Sequence, residues 1–272
     1  MGGEMAHRCK TSYKTSYVAV INNKSDNARL TRTNMLNSIY SLENKISDSL
    51  GGRGITLTPT TSNEYKNVII WLHGLGDQAD GWASLMQVLD LQDTKYILPS
   101  ALERPISLNN GMSMPGWSDI HGLSESAEED KDGFEASSKR IEEIISAELT
   151  KGILPERIVL AGFSQGGALA LHIGLRATHK LGGVIALSTW VPFRKDYPSS
   201  LSEASKDSLR IFQAHGTADQ VVKFEWGLAS HVLLKELIPS SRFMRVPKMG
   251  HSSEQKELEE VRSVLLHWFK EP

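Results

Sequence analysis

The stretch Ile158-Val-Leu-Ala-Gly162-Phe-Ser164-Gln-Gly166-Gly-Ala-Leu-Ala-Leu171 decides how this chain reads. Its apolar start predicts a buried strand, and the run of small and apolar residues after Ser164 predicts a packed helix. Between them lies G-x-S-x-G. A sharp strand-to-helix turn holds such a serine in a strained conformation, projects its hydroxyl and tolerates only small flanking residues. The helix N-terminus then aims free N–H groups at the place where an oxyanion would develop.

Outward from this turn the chain alternates. Short apolar runs at Gly54–Pro59, Val68–Leu72, Tyr96–Leu98, Arg157–Phe163, Val184–Leu187, Arg210–Ala214 and Phe243–Val246 predict strands. Most of them read as continuous apolar segments, as expected of strands covered on both faces. Helices are expected at Asp80–Leu91, Gly133–Leu149, Ser164–Ala177, Phe224–Leu237 and Ser253–Phe269. The expected fold is α/β, a mostly parallel central sheet with helices on both faces. The connection from Pro99 to Asp132 shows little periodicity and reads as a long functional loop, with a solvated acidic run at its end.

The chain has 272 residues, 40% of them hydrophobic and 23% charged, enough to fill one core. A net charge of -2 gives no electrostatic footprint for nucleic acid. The single cysteine, Cys9, excludes an internal disulfide and a thiolate metal site. No apolar run reaches the ~18 residues of a membrane span. Residues 1–53 are polar and read as a largely flexible extension, with Leu36, Ile39, Tyr40, Ile46 and Leu50 at roughly helical spacing. Residues 54–272 form the expected catalytic domain. The start Met1-Gly2-Gly-Glu-Met-Ala6 departs from a myristoylation signal at Ala6, and Cys9 sits between Arg8 and Lys10. One acyl chain would anchor only reversibly. A cytoplasmic protein with at most transient membrane association is expected, and a cleaved organelle-targeting peptide is the other reading of the basic start.

A serine hydroxyl needs a base and an orienting acid, which follow the nucleophile in the order acid, then histidine. His172 and His179 lie on or just after the helix that Ser164 opens, and His231 and His267 lie inside helices. His251 instead follows a strand and a turn, at the sheet edge where such folds build sites. Asp219 sits just past the strand end Ile211-Phe-Gln-Ala-His-Gly216, placed to orient the imidazole. His215 reads as a residue that holds this turn. Two backbone N–H donors are expected for the oxyanion, from Gln165 and from Leu75 in His73-Gly-Leu-Gly76-Asp77. His73 and Asp77 read as braces of that loop.

These residues resemble the acyl-protein thioesterase family, also described as the phospholipase/carboxylesterase family of α/β-hydrolases. The resemblance rests on LHGLGD at Leu72–Asp77, GFSQGGALAL at Gly162–Leu171, HGTAD at His215–Asp219 and GHSS at Gly250–Ser253. The stretches Met114-Pro-Gly-Trp117-Ser-Asp119-Ile and Ser188-Thr-Trp190-Val-Pro192 are similar too. It implies the α/β-hydrolase fold, Ser164 as nucleophile, Asp219 as acid, His251 as base, and the Leu75 and Gln165 amides as the oxyanion hole. It implies substrates that are S-acylated (palmitoylated) proteins, lysophospholipids or small esters, and no cofactor or metal. The family often carries prolines after the acid, where this chain has Gln220-Val-Val222-Lys223, and the extension lies outside the family's core.

An acyl chain needs an apolar channel beside Ser164. Leu108, Met112, Met114 and Trp117, with Trp190, Val191 and Phe193, are the expected lining, although core packing explains about half of them as well. Three functions stay open at this point: protein depalmitoylation, a general carboxylesterase or lysophospholipase, and a non-catalytic binding protein on the same fold. A monomer or weak dimer is expected.

Overall fold

The computed structural model describes residues 40–45, 54–60, 64–124 and 127–270. Eight strands form one sheet: β1 (Tyr40–Lys45), β2 (Gly54–Pro59), β3 (Asn67–Leu72), β4 (Thr94–Leu98), β7 (Ile158–Phe163), β8 (Gly183–Leu187), β9 (Ile211–Gly216) and β10 (Arg242–Val246), in the spatial order β1-β2-β4-β3-β7-β8-β9-β10. A separate hairpin pairs β5 (Glu103–Ile106) with β6 (Met112–Pro115). From β3 to β10 every pairing in the large sheet is parallel. Among the described strands of this sheet, only β2 runs against its neighbours.

The helices are α1 (Asp80–Ala83), α2 (Met86–Leu89), α3 (Lys131–Thr150), α4 (Gln165–Arg176), α5 (Glu203–Lys206), α6 (Phe224–Leu237) and α7 (Gln255–Lys270). They cover both faces. Along β3, Ile69 and Trp71 point to one face, with Trp82 of α1, Met86 and Leu89 of α2 and Val261 and Leu265 of α7. Val68, Ile70 and Leu72 point to the other, with Ile141 and Ile145 of α3, Leu171 of α4 and Leu234 of α6. Side chains that alternate between two dry layers explain why the central strands such as β3 and β8 read as unbroken apolar runs.

Several expectations differ. The spacing of Leu36, Ile39, Tyr40, Ile46 and Leu50 suggests a helix in a flexible extension ending at residue 53, yet Tyr40–Lys45 is a sheet strand paired antiparallel with β2. Tyr40 is buried, its ring packs edge-on against Tyr96 at 5.7 Å, and its hydroxyl donates to the Leu91 carbonyl at 2.8 Å. Pairing with an open sheet edge overrides a weak local periodicity. Residues 1–39 and 46–53 lie outside the described residues. The helix expected over Asp80–Leu91 is two single turns. The connection after Pro99 carries the β5–β6 hairpin rather than irregular loop alone.

Its acidic end is not simply solvated either. Asp130 caps α3 by accepting the Gly133 amide at 2.9 Å, and Glu129 is partly buried against the loop after β8.

Candidate active site

The carboxyl ends of β3, β7, β9 and β10 bring the candidate residues together. Ser164 caps α4 with φ 53° and ψ -122°, a conformation rare for a residue with a side chain. Its amide donates to the Leu187 carbonyl at 2.9 Å, and the Thr189 hydroxyl donates to its carbonyl at 2.7 Å. The neighbouring glycines are steric necessities. A Cβ on Gly162 would lie 2.4 Å from the Gly166 carbonyl carbon, and one on Gly166 would lie 2.2 Å from the Leu72 carbonyl oxygen.

His251 Nε2 lies 2.9 Å from Ser164 Oγ, and His251 Nδ1 lies 2.8 Å from Asp219 Oδ2. The His251 ring packs on Phe163 with centroids 4.8 Å apart. Asp219 Oδ1 accepts the Val221 and Val222 amides at 2.9 and 3.1 Å. Burial alone would raise the Asp219 carboxyl, but the His215 and His251 imidazoles and the Val221 amide hold it below the usual carboxylate range. An ionised acid behind an imidazole favours the proton-accepting role of the far nitrogen.

His215 is fully buried. Its Nε2 lies 2.8 Å from the Val222 carbonyl and 3.4 Å from Asp219 Oδ2, so it holds the turn that carries Asp219. His73 also braces. Its Nε2 accepts the Ala101 amide at 2.9 Å, its Nδ1 contacts the Gly74 carbonyl, and burial pushes the imidazole down to about 4, which keeps it neutral. Asp77 accepts the Gln78 amide and the Trp82 indole N–H, both at 2.8 Å. None of the helical histidines reaches Ser164 in this way; His172 packs between Phe134 and Phe193.

Leu75 follows β3 in the adjoining loop. The Gly76 amide is engaged by the Pro115 carbonyl at 2.8 Å and the Asp77 amide by the Gly74 carbonyl at 3.2 Å, while the Leu75 amide has no acceptor among the described residues. The Gln165 amide is the first N–H of α4, a position without an intrahelical acceptor. Among the described residues, two N–H groups without an acceptor thus lie on separate elements next to the Ser164 turn.

The expected channel residues divide. Leu108, Met114, Trp190 and Phe193 are half-buried, and Met112 is 47% exposed. Met114 Sδ lies 3.5 Å from where a Cβ on Gly76 would stand, which puts it against the Leu75 loop. Trp117 and Val191 depart from the expectation: they are 0% and 1% exposed and sit in the core layer beneath α3 and α4. The Trp117 indole N–H donates to the His73 carbonyl at 2.8 Å, so this tryptophan ties backbone together rather than facing a ligand. Sequence reasoning missed Glu129, whose carboxylate accepts the Trp190 indole N–H at 3.2 Å and the Phe193 amide at 2.7 Å. Burial raises this carboxyl above its usual range. An acidic run carries no local sign of which member will turn inward.

The chain is similar to known proteins in sequence and in fold. The phospholipase/carboxylesterase family profile matches residues 56–269. An acyl-protein thioesterase 1 of Gibberella zeae is 39% identical over 225 residues, which is 79% of this chain and 95% of that protein. One of Cryptococcus neoformans is 40% identical over 220 residues, 74% of this chain and 92% of the relative. The crystal structure of Zea mays acyl-protein thioesterase 2 superposes with a TM-score of 0.73 at 30% identity, covering 80% of this chain and 99% of that one. The chain therefore belongs to the phospholipase/carboxylesterase family and has the α/β-hydrolase fold.

Proposed function

We propose that this chain is a serine hydrolase that cleaves acyl thioesters and releases the acyl chain from S-acylated proteins. The observation that carries the reading is the hydrogen-bonded chain from Ser164 Oγ through His251 to Asp219, at a strained turn beside two unengaged amides. The thioesterase names of the relatives from Gibberella zeae, Cryptococcus neoformans and Zea mays support the substrate class.

The reaction runs in two halves. His251 Nε2 takes the proton of Ser164 Oγ as that oxygen attacks the carbonyl carbon. The carbonyl oxygen becomes an oxyanion held by the Leu75 and Gln165 amides. The carbon–sulfur bond breaks, the thiol leaves with the proton from His251, and the acyl group stays on Ser164. Water, deprotonated by His251, then attacks the acyl-enzyme; the fatty acid leaves and Ser164 Oγ regains its proton. Asp219 holds the imidazole in the Nδ1–H tautomer throughout and stabilises the imidazolium. Leu108, Met112, Met114, Trp190 and Phe193 are the proposed wall for the acyl chain. Methionine suits a wall that must follow a flexible chain.

Among the described residues no helix is long and apolar enough to cross a membrane. Transient contact with the surface that carries its substrates is the proposed relation to a membrane.

The test compares kcat/KM on a palmitoylated-cysteine peptide, a short-chain ester and a lysophospholipid, with Ser164→Ala as control. Preference for the peptide supports the proposal. Preference for the short ester or for the lysophospholipid overturns it in favour of carboxylesterase or lipid hydrolase activity. Turnover that survives Ser164→Ala overturns the mechanism itself.

A further inference from the structure

The two amides assigned to the oxyanion hole come from different elements, and something must set the distance between them. The Leu75 loop and the N-terminus of α4 touch through Gly166, but that contact is one of backbone clearance and fixes no direction. The segment Pro115-Gly-Trp117-Ser118 supplies the directed bonds. It grips the Leu75 loop on both sides: the Pro115 carbonyl accepts the Gly76 amide at 2.8 Å, and the Trp117 indole N–H donates to the His73 carbonyl at 2.8 Å. Leu75 lies between those two points.

The other end of the segment is held by the Gln165 side chain. Its Oε1 accepts the Trp117 amide at 3.0 Å, and its Nε2 donates to the Ser118 carbonyl at 2.8 Å and the Ser118 hydroxyl at 3.0 Å. Gln165 is fully buried, so its carboxamide has no water to fall back on and these bonds fix its orientation. The Ser137 hydroxyl donates to the Trp117 carbonyl and locks the segment onto α3.

We propose that the Gln165 carboxamide is a positioning group that links the two oxyanion donors: one residue offers its own amide and, through Trp117 and Ser118, holds the Leu75 amide opposite. This rests on the serine-hydrolase reading above. Glutamine meets the need because it alone presents one acceptor and two donors on a neutral, planar end at this reach. Methionine has nearly the same shape and none of these groups. Donors displaced by a fraction of an ångström weaken transition-state binding and leave ground-state binding of the acyl chain unaltered.

The experiment uses the full chain with Gln165→Met, Trp117→Phe and the double variant. Trp117→Phe keeps the aromatic packing and removes the indole donor, so it tests the link even where Gln165→Met folds poorly. Kinetics are read beside two inhibitors with the same acyl chain: a trifluoromethyl ketone, to which Ser164 adds to form an oxyanion, and a thioether with no carbonyl. Each single variant is expected to lower kcat about 10-fold or more, weaken the ketone by the same factor, and leave KM and thioether binding within about 2-fold. The double variant is expected to be about as impaired as the worse single one, because both break one link. Losses that multiply, or ketone and thioether binding that weaken together, overturn the proposal. So does unchanged kcat in variants while wild-type turnover depends on Ser164; a wild type without Ser164-dependent turnover overturns this proposal and the functional reading together.

Discussion

His251 Nε2 meets Ser164 Oγ at 2.9 Å across 87 residues of chain. The parallel strands make this meeting possible. β7 and β10 run the same way, so the turns that follow them open on one edge of the sheet. Asp219, after β9, closes the line from between them.

Replacing Asp219 with asparagine is expected to lower kcat by roughly 10⁴-fold while leaving the fold intact. The Val221 and Val222 amides both bond to Oδ1 and will hold the asparagine oxygen there. Its NH₂ then faces His251 Nδ1 and forces the proton onto Nε2, where the base must be free. Steady-state kinetics with circular dichroism checks this.

Glu257 makes stability depend on pH. It is buried at the start of α7; Ser253 Oγ donates to its Oε2 at 2.6 Å and its Oε1 has no partner among the described residues. Burial pushes its carboxyl from 4.5 up to about 7. The unfolded chain therefore releases this proton at lower pH than the folded one. The folded state is favoured below about 4.5 and loses roughly 3 kcal/mol as pH rises through 7, at about 1.4 kcal/mol per pH unit. Glu257→Gln is expected to be more stable than wild type at pH 8 and to lose that advantage by pH 5. Urea titrations at the two pH values decide it.

Alanine in place of a helical glycine ordinarily stabilises by about 1 kcal/mol. At Gly227 the opposite is expected. A Cβ there would lie 2.2 Å from His215 Nδ1, pressing the ring that holds the Asp219 turn. Gly227→Ala should destabilise by about 1–3 kcal/mol and lower kcat, measured by thermal unfolding and kinetics.

Tyr40→Ala should cost about 3 kcal/mol, because it empties the contact with Tyr96 that fastens β1. Tyr40→Phe should cost about 1 kcal/mol, the hydrogen bond to Leu91 alone. A chain beginning at residue 54 lacks β1 and should unfold at lower temperature than the full chain. Equilibrium unfolding separates these outcomes.

Much of this fold is legible in the sequence because each buried strand carries its own local mark, a run such as Val68–Leu72 or Val184–Leu187 bounded by glycine or polar residues. The strand at Tyr40–Lys45 carries none; one sheet edge, the Tyr96 ring and the Leu91 carbonyl hold it. The β5–β6 hairpin was equally hidden: Glu103–Ile106 is largely exposed and lacks the apolar alternation that marks a strand.

By itself the sequence determined the strand-to-helix turn at Ser164, the strand-and-helix alternation around it and the order of Ser164, Asp219 and His251. The steric clearance between Gly162 and Gly166 and the apolar runs are properties of residues close in sequence, so they can be read in one pass along the chain. Only the tertiary structure decided that Trp117 is buried backbone support rather than channel wall, that Glu129 turns inward to Trp190 and Phe193, and that the Gln165 side chain reaches Trp117 and Ser118. Each of those contacts joins segments tens of residues apart. A hydrogen bond of that kind depends on the direction in which packing aims a side chain, and no local period records it.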